Sequence, residues 1–395
     1  MLKRKRLDRL IMLSELPFRR TLNRLIFSLI FLLLGFNINL EAHEIRPAIA
    51  DVIVSEENIL LEFRLNAETL IAGVNLQGVT NTDDSVESEK YNRLRALSAP
   101  DLAALFKEEW PGLQANFIVL VGEQKLILNL GKVFTESAEG IDVSRDTIIS
   151  LSTSLPSDNN LIRIGWSAAY GPLILRQITN EEVSYSTYLA NGDLSEGLPR
   201  IGKITQSKGK VFYQYIAVGY NHIIPKGIDH ILFVLGLFFL SSNLRQVIAQ
   251  VSFFTIAHTL TLALSSVGLI FVPSAIVEPL IALSICYIAI ENIFTSKIMW
   301  WRPIMIFLFG LLHGLGFAAV LGEFGFSPSL FWISLVGFNL GVELGQVMLL
   351  SVMFIMFGYY FGSYPWYRSR ICIPASVFIA AAGGYWFIER VTLLT

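Results

Sequence analysis

A chain of 395 residues with a net charge of -2 and only 16% charged against 53% hydrophobic side chains is too apolar for an ordinary soluble protein, in which charged residues approach a quarter of the total. The composition points to a membrane protein, and the near-neutral charge gives no electrostatic reason to expect nucleic acid as a partner. Both cysteines, Cys286 and Cys372, fall in apolar segments, so disulfides are not expected to hold the polar part of the chain together.

The first 24 residues carry a run of basic side chains from Lys3 to Arg24, followed by LIFSLIFLLLGF and then NINLEAHE. That order matches a secretory signal peptide, with cleavage expected after Ala42 and an uncleaved anchor as the other reading. Cleavage there would leave His43 at the terminus, where an amine beside an imidazole can chelate a metal, although a histidine near a cleavage site is usually incidental.

Residues 43 to about 205 are polar and do not span. IADVIVSEENILLEFRLNAE reads as two strands around a Ser-Glu-Glu-Asn turn, with Ile59, Leu61, Phe63 and Leu65 on one face and Glu62 and Arg64 on the other. Further strands are expected in NFIVLVGEQKLILNLG, TIISLSTSL, LIRIGWSAAYG and VSYSTYLANG, which together predict a small antiparallel β-sandwich. The second half of TNTDDSVESEKYNRLRALSAPDLAALFKEEW predicts helix. The domain shows no catalytic constellation, and His43 is its only histidine.

Residues 206–395 predict a six-helix transmembrane domain, with spans at about 226–241, 246–270, 273–294, 303–321, 329–360 and 371–388. If the signal peptide delivers the β-rich domain to the outside of a bacterial inner membrane, the loops holding Arg245, Lys297, Arg302, Arg368 and Arg370 are cytoplasmic, whereas the outer side near the spans offers only Lys226 and Arg390. The positive-inside rule favours that orientation, and Trp300, Trp301, Trp366 and Tyr367 suit interfacial anchoring. The first span is short, because crossing ~30 Å of hydrocarbon takes about 20 helical residues. VFYQYIAVGYNHII, just upstream, is apolar enough to enter the outer leaflet, and Pro225 with Gly227 can break it from the next helix. Irregular backbone at membrane depth is tolerated where it is buried in protein or lines a wet cavity, which makes this break a candidate wall of a site.

The spans hold an unusual inventory of polar groups: Asp229, His230, His258, Glu278, Glu291, Asn292, His313, Asn339, Glu343 and Gln346, with His222 just before them. An ionisable residue at the bilayer centre costs on the order of 3 kcal/mol or more and marks a functional site by default. At 1.5 Å per residue, His258 and His313 lie roughly 18 and 15 Å from the inner ends of their helices, and Asn339 roughly 15 Å from an outer end. Asn339, Glu343 and Gln346 share a helix face. Asp229, His230 and Glu278 fall toward the outside and Glu291 and Asn292 toward the cytoplasm, so a polar ladder across the membrane is expected. Imidazole with carboxylate suits nickel, cobalt, zinc or copper, while a lone intramembrane histidine can also serve as a helix-helix hydrogen bonder. Gly310, Gly314, Gly316, Gly337, Gly341 and Gly345 are expected to allow close packing.

His222-Ile-Ile-Pro-Lys-Gly227-Ile-Asp229-His230-Ile-Leu-Phe resembles the signature region of the HupE/UreJ family of bacterial membrane proteins. FTIAHTLTL, VEPLIALSICYIAIEN and LFGLLHGLGFA resemble later blocks of its larger branch, which begins with an extracytoplasmic domain. The short members have His-Pro-x-x-Gly-x-Asp-His, whereas His222 stands one residue further from Asp229 and no proline follows it directly. The resemblance implies nickel or cobalt uptake, a role assigned to the short members, and makes His222, Asp229 and His230 the motif residues.

The resulting expectation is a transporter whose substrate ion meets Asp229, His230 and Glu278 at the outer mouth, passes His258, His313 and Glu343, and leaves past Glu291. Asn292, Asn339 and Gln346 line the path, and no organic cofactor is expected. The β-rich domain captures or delivers the ion or docks a periplasmic protein. Two rivals stand beside this: an intramembrane zinc hydrolase, which would gather three ligands about one ion with an open position, and an anchored assembly or sensor protein.

Overall fold

The computed structural model describes residues 47–77, 85–137, 145–201, 204, 206–241, 243–323 and 330–392, with the backbone alone for 317–323. The expected signal peptide, its cleavage site and His43 lie outside these residues.

The N-terminal region is β-rich. Its strands are β1 (Ala48–Val54), β2 (Asn58–Leu65), β3 (Phe117–Val121), β4 (Gln124–Lys125), β5 (Asn129–Thr135), β6 (Thr147–Ser154), β7 (Ile162–Trp166), β8 (Leu173–Thr179) and β9 (Glu182–Leu189). Helices α1 (Ala67–Ala72), α2 (Ser88–Arg95) and α3 (Ala99–Leu113) interrupt them. In β2 the expected alternation holds: Ile59, Leu61, Phe63 and Leu65 are buried and the residues between them face outward. The turn before it is closed by Ser55, whose hydroxyl donates to the Asn58 carbonyl at 2.8 Å and accepts from the Asn58 amide at 3.1 Å.

Two sheets form, a six-stranded one in the order β5-β6-β2-β1-β8-β9 and a three-stranded one in the order β4-β3-β7. They share an aromatic core in which Phe63 of β2 meets Phe117 of β3 at 5.2 Å between ring centroids, and Trp110 of α3 meets Phe117 at the same separation. The antiparallel expectation needs one correction, because β8 lies parallel to β1. A parallel partner must return by a crossover, here the whole chain between β2 and β8, and LILRQIT was not among the predicted strands.

The helical part comprises α4 (Lys208–Ile223), α5 (Ile228–Leu240), α6 (Leu244–Ser266), α7 (Ser274–Phe294), α8 (Arg302–Glu323), α9 (Phe331–Met353) and α10 (Ile373–Thr392). Four helical stretches are long and apolar enough to cross a membrane: Leu244–Ser266, Ser274–Phe294, Phe331–Phe361 and Arg368–Thr392. The pair α4 and α5, bent by 73°, makes up to five if it is one broken span. Among the described residues, six spans are therefore not reached; α8 stands at the expected fourth span, and its described side chains, Arg302–Gly316, form a shorter apolar helix. Phe253, Ile256, Leu260, Leu283, Ile290 and Val336 face outward, the apolar exterior that a lipid environment selects.

The closest helix pairings are α6 with α8, α4 with α9, and α7 with α10. Glycine permits two of these approaches. A Cβ on Gly314 of α8 would overlap the His258 carbonyl and the Thr261 hydroxyl of α6, and one on Gly341 of α9 would overlap the Ile216 carbonyl of α4. The six-stranded sheet is seated on the same framework, since Ile49 and Ile174, on its outer face, pack in one cluster with Val211 and Tyr215 of α4 and Leu335 and Phe338 of α9.

Candidate metal centre

The site is built around the break between α4 and α5. His222 sits in the last turn of α4, and Asp229 and His230 in the first turn of α5. Gly227 makes the junction possible: its amide donates to the Ile223 carbonyl at 3.1 Å, and a Cβ there would overlap the His222 carbonyl. Asp229 Oδ1 accepts from the His230 amide at 2.8 Å and lies 3.1 Å from His230 Nδ1. A carboxylate in the first turn also complements the helix dipole.

Two long helices complete the cluster. His258 comes from the interior of α6 and His313 from the interior of α8, at 0% and 1% exposure, beside His230 at 3%. The His230 ring lies 4.8 Å from that of His222, 4.9 Å from His313 and 5.8 Å from His258, between centroids. The first turn of α5 is therefore level with the middle of α6 and α8. Phe233 and Phe254 wall the cluster, each within 5.2 Å of the His313 ring.

Hydrogen bonding selects the tautomers of two of these rings. Ser284 of α7 donates its hydroxyl to the Ile281 carbonyl at 2.6 Å and lies 3.1 Å from His313 Nε2. With its one proton committed, that hydroxyl accepts from Nε2–H, which leaves His313 Nδ1 with the lone pair. If His230 Nδ1–H donates to Asp229, its lone pair sits on Nε2 in the same way. His230 Nε2, His313 Nδ1 and both ring nitrogens of His258 are buried without a hydrogen-bond partner among the described residues. The Asn339 carboxamide approaches His258 without completing a hydrogen bond, and instead donates to the Leu335 carbonyl at 2.8 Å. Each buried polar atom left unsatisfied costs about 1–3 kcal/mol, and imidazole lone pairs beside a carboxylate are a donor set for a borderline divalent metal.

The remaining sequence candidates lie elsewhere. Glu343 accepts from Ser252 and Thr255 of α6, each at 2.6 Å, and the Thr255 hydroxyl also lies 2.9 Å from Gln346 Oε1. Glu291 is ion-paired with Arg302, whose Nε donates to Gln250 at 2.9 Å. Asn292 donates to the Gly236 carbonyl at 2.6 Å and faces the same guanidinium. Glu278 is exposed, with Arg390 donating to its backbone carbonyl at 2.9 Å. The expected continuous ladder is thus resolved into separate clusters, with the histidines drawn together and the carboxylates of Glu343 and Glu291 each engaged by other partners.

Arg302 is a further difference from expectation. Counted in sequence as a cytoplasmic loop charge, it begins α8 fully buried in a polar knot. Ser284 was also missed, since one hydroxyl in an apolar helix usually bonds its own backbone. The signal for Arg302 was present in its immediate passage into an apolar run with Glu291 and Gln250 near the corresponding helix ends.

Residues 200–390 match the family model described as HupE / UreJ protein. The helical part of the chain belongs to the HupE/UreJ family. No curated protein matches the chain, and no solved structure does. The matched range opens just before α4 and closes within α10, so it contains His222, Asp229, His230, His258 and His313 while β1 to β9 lie outside it.

Proposed function

We propose that the helical part carries a divalent transition-metal ion across the cell membrane, with His222, Asp229, His230, His258 and His313 as its binding station. Nickel and cobalt stand first, by association with the HupE/UreJ family. The observation that supports the reading is the meeting of four imidazoles and one carboxylate at a helix break, with ring nitrogens of His230, His258 and His313 buried without a hydrogen-bond partner among the described residues. A purely structural histidine would be expected to have those nitrogens bonded.

On this reading α8 is a sixth span, the β-rich region is extracytoplasmic, and it receives the ion or a periplasmic partner that delivers it. The substrate ion enters from the side of the α4–α5 break, exchanges water for imidazole at the station, and leaves toward the knot of Arg302, Glu291, Asn292 and Gln250, which must loosen for passage. Neutral imidazoles suit a transported ion, because binding must be strong enough for entry and weak enough for departure.

Elemental analysis of the detergent-purified protein after equilibration with nickel, cobalt, zinc and copper tests the station. The parent is expected to retain one of these ions, and a variant carrying both His230→Ala and His258→Ala to lose it. Equal and negligible metal in both would contradict the reading.

The compact gathering of ligands also favours a second reading, an intramembrane zinc hydrolase holding an activated water. Ion accumulation inside sealed vesicles supports transport, whereas zinc-dependent cleavage of a membrane peptide or lipid without accumulation supports hydrolysis.

A further inference from the structure

The histidine cluster contains two overlapping ligand sets. One ligand atom each from His222, His230 and His258 lie within 4.8 Å of one another, and the same holds for Asp229, His230 and His313. His230 belongs to both sets. Its ring is nearly equidistant from His222 and His313, at 4.8 and 4.9 Å, and these two residues belong to different sets.

We propose that these are two stations for a single ion, one made of three imidazoles and one of two imidazoles and a carboxylate, between which the ion moves while His230 stays bound. The proposal rests on the reading that the cluster binds a divalent metal. It adds that the site is a two-position relay rather than one five-ligand cage.

Asp229 supplies the first reason. With Oδ1 facing His230 Nδ1 at 3.1 Å, the carboxylate acts on the all-imidazole station only by orienting the ring and directing its Nε2 lone pair. At the mixed station the same carboxylate is a ligand. One group with two alternative roles favours one ion at a time, and the repulsion between two divalent ions sharing an imidazole acts in the same direction.

The second reason is the asymmetry of His258 and His313. Ser284 fixes His313 with Nδ1 as its donor atom, a committed ligand for the mixed station. Neither ring nitrogen of His258 is committed to a hydrogen bond among the described residues, so that ring can adjust as the ion arrives or leaves. The stations also differ in charge. Three neutral imidazoles leave the ion at +2, and Asp229 lowers the assembly to +1, so the mixed station holds the ion more firmly in a low-dielectric surround. Two adjacent stations of unequal strength let an ion be captured and passed on without losing all its ligands at once.

Cobalt(II) added to the full-length protein in detergent tests this, because its visible absorption responds to the number and kind of its ligands and X-ray absorption counts its imidazoles. The parent is expected to bind one ion per chain. His258→Gln should keep one ion in a mixed nitrogen and oxygen environment, and His313→Gln should keep one in an all-imidazole environment, each with affinity lowered about tenfold. His230→Gln should bind none. Glutamine keeps much of the side-chain volume, and size-exclusion profiles confirm that each variant is folded; a variant that fails this check is replaced by the corresponding Asn. Two ions per chain, identical spectra for the His258 and His313 variants, or loss of binding in both as complete as in the His230 variant would overturn the relay while leaving a metal site in place. Absence of cobalt from the parent would overturn the metal reading itself.

Discussion

Two buried polar clusters in the helical part differ in how their bonding capacity is used. Arg302, at 0% exposure, is paired with Glu291, donates to Gln250 and faces Asn292, which in turn is tied to Gly236 and accepts from Arg368 through its carbonyl. Opposite charges meet inside this knot, and Glu291 Oε1 is its one side-chain atom without a partner among the described residues. His230, His258 and His313 are comparably buried, but each has a ring nitrogen without a hydrogen-bond partner among the described residues. Burial of polar groups therefore does not by itself mark a ligand site, since the knot spends its capacity on joining helices and the cluster keeps lone pairs in reserve.

The comparison predicts opposite responses to mutation. Arg302→Leu leaves Glu291 buried without its cation and should cost about 3–5 kcal/mol of stability, seen as a large fall in thermal unfolding temperature or in the yield of folded protein. His230→Ala should leave stability within about 1 kcal/mol, because it removes a partly unsatisfied group, yet lower metal affinity more than about a hundredfold, or roughly 2.7 kcal/mol. A His230 variant that unfolds as readily as the Arg302 variant would erase the distinction. Gly314→Ala forces a methyl group against the His258 carbonyl and Thr261 and should cost about 1–3 kcal/mol, with a coupled loss of metal affinity measured by titration. Ser284→Ala frees His313 to adopt the other tautomer and should lower affinity about tenfold while stability changes little; restoration by Ser284→Thr sharpens the assignment.

Much of the framework was legible in sequence. Period-two alternation located β2, and hydrophobic runs located α5 to α10 to within a few residues, because burial and lipid exposure impose those patterns directly. Strand β8 was not legible, since its partner β1 lies more than a hundred positions earlier and a parallel pair leaves no hairpin signal. The polar groups could be singled out from the sequence, but which of them meet could not, for one physical reason. Counting depth from α5 placed His230 at an outer end, whereas α4 is bent by 73° against α5 and brings the first turn of α5 level with His258 and His313. Glu343 looked like a ligand because carboxylates are metal donors; its use by Ser252 and Thr255 depends on which face of α6 meets α9, which spacing alone does not specify.

Ion accumulation in sealed proteoliposomes is the most direct test of the central claim. With nickel or cobalt outside, vesicles containing the parent protein should accumulate the ion over time, and vesicles containing folded His230→Ala protein should match protein-free controls. Equal accumulation by parent and variant, or none by a parent shown to bind the ion, would contradict transport through the histidine cluster.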